Sequence, residues 1–309
     1  MPVKRLFVAA LLLAAAPAGA HNLWIKPSAA TVSGEDGWVS FDAAASTDVF
    51  VADHQPLRVE QIKAFTPDGS EARIENGITG RYRSTFDLHL TKPGTWRVAV
   101  ENAGLQGSYK LGGEDYRVGG RPPGGPGGMR PAGAPGAAAA NARGPAGGPT
   151  GAAPPQRPGM TGKFVPGGPD FVLPAGATDV KLTQSASRNE VFVTLGEPTE
   201  IKPTGKGLEM VPLTHPADLV ADAPGRFRFL VEGKPAANLE VRLIPDGKRY
   251  RNDQGEIVAK TNAAGEVSVP WPSAGLYWLN ATYQDGTSSI ANASGRRFNY
   301  VTTLEVMTP

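Results

Sequence analysis

The residues best suited to chemistry here are four histidines in a chain of 309 residues that has no cysteine. His21 stands out because it follows Ala18-Gly19-Ala20, a small-residue run of the kind cut by signal peptidase. If the chain is cut there, His21 carries both an imidazole and a free α-amino group. Those two nitrogens can chelate one metal ion, and nitrogen-rich sites suit Cu(II), Ni(II) or Zn(II). The alternative is that a leader must end somewhere and a histidine happens to follow it.

A chelate needs a further ligand, and strand order ranks the other histidines. In an immunoglobulin-like order the connection after the second strand returns to the end at which the first strand begins. With strand one near Asn22 to Val32 and strand two near Trp38 to Ala44, the connection Ala45 to Pro56 carries Asp48, Asp53 and His54. His54 is therefore the expected partner of His21, with Asp53 as an additional ligand. His89 follows Phe86-Asp87-Leu88 on the polar side of a strand, near the opposite end, and reads as a solvated strand residue. His215, beside Pro216, falls at the junction of the two halves and is a ligand only if they fold back on each other. Tyr109, Glu114, Asp115 and Tyr116 lie at the His21 end and offer oxygen ligands, although a solvated loop rim is the better explanation of them.

The elements that must hold these groups are strands. Period-two alternation recurs at Phe86, Leu88, Leu90; Trp96, Val98, Val100; Phe227, Phe229, Val231; and Leu239, Val241, Leu243. Turn residues separate these runs, and no stretch has convincing helical periodicity. The order also repeats: Pro67-Asp68-Gly69 leads 25 residues later to Gly94-Thr95-Trp96, and Pro245-Asp246-Gly247 leads 28 residues later to Gly275-Leu276-Tyr277-Trp278. The expected fold is all-β, two tandem immunoglobulin-like β-sandwiches.

Composition divides the chain further. Of 39 glycines and 29 prolines, 16 and 12 lie between Gly119 and Pro169, a window with no acidic residue. Such a segment cannot build a core, so the first sandwich is expected to be interrupted by a disordered Gly/Pro-rich insertion at 119–169. Residues 1–20 read as a cleaved signal peptide: Lys4 and Arg5, then an apolar run from Leu6 to Ala16. The first sandwich then takes 21–200, recovering its last strand at Glu190 to Leu195, and the second takes 201–309 after a stiff Lys202-Pro203-Thr204-Gly205 connection. The expected location is the periplasm, with no membrane-spanning segment after the leader.

Without Lys4 and Arg5 the chain has 29 basic and 29 acidic residues, so nucleic acid is not an expected partner. There is no cysteine nucleophile, no Gly-x-Ser-x-Gly elbow and no His-Glu-x-x-His helix, and Gly205-Lys206-Gly207 lacks the spacing of a phosphate loop.

His21-Asn22-Leu23-Trp24-Ile25-Lys26-Pro27 resembles the start of the exported family called domain of unknown function 4198. Asp53-His54-Gln55-Pro56-Leu57-Arg58, Gly80-Arg81-Tyr82-Arg83-Ser84, Lys202-Pro203-Thr204-Gly205-Lys206-Gly207, Thr214-His215-Pro216 and Trp271 to Trp278 extend the likeness over most of the chain outside the insertion. The resemblance implies an association with nickel or cobalt uptake and supplies no catalytic residues. The leading reading is a periplasmic metal-binding or metal-delivery accessory protein holding a Cu, Ni or Co ion through His21, His54 and Asp53. A second is a non-enzymatic β-sandwich module that binds a protein, such as an envelope transporter or receptor, or a glycan, at a cell-envelope transport complex. A third is a copper-dependent oxidase or monooxygenase. An enzyme is the less expected outcome.

Overall fold

The computed structural model describes residues 21–120 and 162–309; the expected signal peptide at 1–20 and most of the 119–169 window lie outside the described residues. Strands dominate, with three short 3-10 turns as the helical elements among the described residues. No helix of the described residues is long and apolar enough to cross a membrane.

The first sandwich has one sheet in the order Asn22–Pro27, Gly37–Ser46, Ser84–Leu90, Glu75–Thr79. Its facing layer consists of Lys63–Phe65, Gly94–Leu111 and Thr178–Leu195. Thr31–Val32, just after the first strand, crosses to that layer and runs parallel to its last strand. With the two-residue strands set aside, this is the four-on-three arrangement of an immunoglobulin constant-type domain. Alternation does the packing: in Ser84–Leu90 every second residue is buried. Phe86, Leu88 and Leu90 meet Val39, Phe41, Trp96, Val98, Val191 and Val193 in one core.

The second sandwich repeats the plan. Leu208–Pro212, Gly225–Val231 and Glu266–Val269 form one layer, and Ile257–Lys260, Glu240–Pro245, Gly275–Asp285 and Ala293–Val306 the other. Its core joins Phe227, Phe229, Val241, Leu243, Trp271, Tyr277 and Tyr300. The repeated turn now has a structural meaning. In each half Pro-Asp-Gly follows or ends a strand, Lys63–Phe65 or Glu240–Pro245, and the later glycine opens the strand that pairs directly with it.

The two sandwiches are joined along their edges, which the alternation did not indicate. Thr178–Leu195 pairs in parallel with Ala293–Val306, from Leu182 opposite Ala293 to Val191 opposite Thr303. One eleven-stranded sheet results. Two edge strands that would otherwise present unpaired backbone groups cap each other. The Asn22–Pro27 strand also lies against this sheet, and Trp24, Ala44 and Val49 of the first sandwich pack with Ile244, Trp278 and Val301 of the second.

Gly94–Leu111 and Thr178–Leu195 are 18 residues each, so the last strand of the first sandwich begins well before Glu190. Their far halves form a ribbon beyond the sandwich, widened by Glu114–Val118 and Lys163–Val165. Residues 162–169 of the glycine-rich window thus include a strand, while 121–161 are outside the described residues. The ribbon has its own small core around Leu105, Tyr109, Val118 and Leu182, packed with Phe171 and Leu173.

Candidate metal site at the chain start

Strand register brings the first two histidines together. Asn22 is opposite Ser46 and Gln55 is opposite Ala45, on the two sides of the Gly37–Ser46 strand. His21 and His54 each stand one residue beyond these pairs and flank the end of the central strand. Their rings stack with centroids 3.5 Å apart and planes 7° apart. Both residues are exposed.

The connecting loop is held by named bonds. Ser46 is the hub: its Oγ accepts from Trp24 Nε1 at 2.7 Å and donates to the Asp48 carbonyl at 2.6 Å. Asn22 Nδ2 donates to the Thr47 carbonyl at 2.9 Å, and Thr47 N donates to Asp53 Oδ1 at 2.9 Å. Val49 is buried in the cluster shared with the second sandwich. The loop that carries His54 is therefore fastened to the strand after His21 and to the second domain.

Asp53 serves the loop through its bond to Thr47. Among the described residues no group of three or more His, Cys, Asp or Glu side chains is placed to hold a metal ion, so Asp53 does not form such a group with the two histidines. The other candidates are engaged elsewhere. His89 stacks on exposed Trp38 at 4.3 Å and its Nε2 lies 2.8 Å from Asp36. His215 does lie at the junction of the halves: Nδ1 accepts from Ala217 N at 3.1 Å, and Nε2 contacts Thr95 Oγ1 at 3.1 Å and the Thr199 carbonyl at 3.2 Å. An accepting Nδ1 puts the ring proton on Nε2, and burial lowers the pKa of His215 against the opposing pull of Asp218. Tyr109 stacks on Tyr116, and Glu114 pairs with Lys163 at 2.5 Å.

Across more than two-thirds of its length the chain matches a family profile, over residues 18–285. It belongs to the domain of unknown function 4198 family (DUF4198). No curated protein matches it. Among solved structures it is similar to the full ectodomain of mouse nectin-like molecule 4, at 10% identity and TM-score 0.18, over 94% of this chain and 65% of that one, less than two-thirds of the ectodomain's length. It is also similar to the D0-D1 domain of Intimin, at 10% identity and TM-score 0.20, over 92% of this chain and 97% of that one. A third is the human OSCAR ligand-binding domain, at 10% identity and TM-score 0.19, over 93% of this chain and 100% of that one. The fold of this DUF4198 member rests on its own strand pairing.

A larger cavity, of about 420 Å³, lies where the two sandwiches meet, lined by Glu101, Gln184, Arg188, Lys206, Glu232 and Phe298 among others. Most of its charges are ion-paired, Arg188 with Glu101 and Glu232 with Arg296. Arg188 Nε is 2.9 Å from Glu101 and its NH1 is 3.2 Å from buried Glu209. Burial raises the pKa of Glu101, but Arg97 and Arg188 outweigh it and hold the carboxyl below its ordinary value. Glu209 also accepts from Thr204 N and Gly205 N, at 2.7 and 2.8 Å. This network clamps the connection between the halves.

One group beside the histidines carried no role in the sequence reading. Arg81-Tyr82-Arg83 forms an exposed turn near the His54 loop, and an aromatic side chain between two arginines next to a glycine is the signal that marks it.

Proposed function

We propose that this protein is an exported metal-binding accessory protein of the cell envelope, with His21 and His54 as its primary ligands. The observation that supports this is the contact between the two rings at the predicted mature terminus, with no other described residue hydrogen-bonded to either. Cleavage before His21 would add the α-amino nitrogen, giving three nitrogens and no carboxylate. Such a set favours Cu(II) or Ni(II) over the oxygen-preferring Mg(II) and Ca(II).

The fit has one requirement. The ring centres, 3.5 Å apart, put both imidazoles within reach of one ion, and two rings that each bind it through a nitrogen about 2.0 Å away must stand further apart than this. Imidazole lone pairs lie in the ring planes, however, so the stacked rings must turn about their side-chain torsions to share an ion. Exposure leaves them room to do so. When bound, the ion would be the cargo or a fixed centre, and the protein's own part is to hold the two rings on one strand end. The bonds at Ser46, Thr47 and Asp53 do this.

The test is titration of Cu(II), Ni(II) and Co(II) into protein starting at His21, into His54→Ala, and into protein with one extra residue before His21. The expected result is a loss of at least tenfold in affinity for each altered protein. Equal affinity in all three would sink the proposal. Delivery to a transporter or receptor protein in the periplasm is the wider role proposed with it.

A further inference from the structure

We propose that the hollow beside the histidine pair receives an organic polycarboxylate, which reaches the protein as the chelate of the metal ion. This inference rests on the metal reading above and names the form in which the metal is bound.

The first argument is coordination. Two imidazoles and one amine leave positions open on a divalent ion, and among the described residues no carboxylate joins them in a group that could fill these positions. An exogenous ligand with several carboxylates can occupy the open positions and also lower the net positive charge of the ion.

The second argument is place. A shallow cavity of about 380 Å³ is lined by Ala52, Ile78, Gly80, Arg81, Tyr82, Arg83 and Thr85. Ala52 belongs to the loop that ends in His54. Ser84 is opposite Ala43, Pro56 opposite Ala44 and Gln55 opposite Ala45, all on one edge of the Gly37–Ser46 strand. At roughly 3.3 Å per residue, Ser84, which directly follows the Arg81–Arg83 turn, and His54 are about 10 Å apart along that edge. A small chelate and one arginine side chain span such a gap.

The third argument is the lining. Arg81 has no carboxylate partner among the described residues, whereas Arg83 is tied to Asp42 at 3.3 Å. The Arg81 guanidinium lies over the Tyr82 ring, 5.2 Å from its centre. The ring holds the guanidinium in place without neutralising it, and its fork is shaped to take a carboxylate on two donors. Tyr82 is 42% and Ile78 66% exposed, so the hollow also has an apolar side for a carbon skeleton. A bare divalent ion at the histidines and Arg81 would repel each other. A polyanion between them turns that repulsion into attraction at both ends.

The experiment uses the protein with its native terminus and radiolabelled citrate as the probe. Equilibrium dialysis is run with citrate alone, with citrate and Ni(II), and with citrate and Cu(II). Retention of label only when metal is present, near one citrate per protein, is expected. In the Arg81→Gln/Tyr82→Ala double variant retention should fall at least tenfold while the isotherm for bare metal stays as in the wild type, which also shows that the variant is folded. Citrate that strips the ion from the wild type with no label retained overturns the inference and leaves the metal site standing. So does retention that the double variant does not change. A wild type that binds no bare metal overturns the underlying reading and this one with it.

Discussion

Trp278 Nε1, in the second sandwich, donates to the Leu23 carbonyl at 2.8 Å, two residues after His21. Trp278 is 6% exposed and shares a cluster with Trp24 and Val49. The second domain thus holds both halves of the histidine site: the strand after His21 by a hydrogen bond, and the loop before His54 through buried Val49. Trp278→Phe keeps most of the buried ring and removes the bond, leaving the half-buried Leu23 carbonyl without that donor. A loss of about 1 kcal/mol in urea unfolding is expected, together with weaker Cu(II) binding. A lower urea midpoint with unchanged metal affinity would show that the second domain supports the fold and not the site.

Asp53 can be a metal ligand or a loop anchor, and two substitutions separate these roles. Its Oδ1 accepts from Thr47 N at 2.9 Å, and asparagine keeps that acceptor. As an anchor, Asp53→Asn should bind metal nearly as the wild type does, and Asp53→Ala should bind less tightly because His54 loses its position. As a ligand, both should lose affinity alike. Titration of Cu(II) into the two variants decides it.

The clamp between the halves gives a prediction about stability alone. Glu209 is 2% exposed and takes one bond from Arg188 and two from the backbone of the connection. Glu209→Ala leaves Arg188 half-compensated and two amides unpaired. A destabilisation of about 3 to 5 kcal/mol is expected, as for other broken buried pairs. Guanidinium unfolding measures it. A change under 1 kcal/mol would mean that water replaces the carboxylate at the junction.

Strand alternation made Phe86, Leu88, Leu90 and Trp96, Val98, Val100 readable as core positions, because one face of each strand is buried and the other is wet. The same logic placed His54 beside His21, since the return of the second long strand to the start of the Asn22–Pro27 strand is a property of the topology. It failed for Thr178–Asn189, whose Thr, Gln, Ser and Arg residues show no alternation. That stretch pairs with Val100–Lys110 in a ribbon and with Ala293–Val301 at the seam, so its order comes mainly from backbone bonds along both edges, with Leu182 as its one fully buried apolar side chain. Edge pairing of this kind leaves no hydrophobic period to find. Trp278 and Leu23 are 255 residues apart, and only the seam brings them together.

At Gly107 the ribbon constrains its own sequence. Its φ is +146°, and a Cβ there would lie 1.9 Å from the Lys181 carbonyl oxygen. Gly107→Ala must push the two long strands apart within the ribbon, beside its small core. Loss of amide hydrogen-exchange protection in Ser108–Leu111 and Thr178–Leu182 is expected, with the sandwich cores still protected. Uniform loss of protection across the first sandwich would instead make the ribbon part of its folding unit.

His215 gives the pH dependence a definite sign. Burial lowers its pKa in the folded state, and its Nδ1 is occupied as an acceptor from Ala217 N, so a second proton would break that bond. The unfolded chain has no such restriction and takes up the proton at the ordinary histidine value, about 6.5. Below that value the unfolded state binds a proton that the folded state binds less readily, so this residue lowers stability as pH falls and has no such effect well above it. His215→Gln should be less stable than the wild type at pH 8, having lost the contacts to Thr95 and Thr199. The gap between the two should narrow on acidification towards pH 5, because only the wild type carries the penalty. Thermal midpoints of both proteins across that range test this, and the carboxylates they share cancel in the difference. A gap that widens on acidification would mean that His215 gains its proton in the folded state and that Asp218, not burial, controls it.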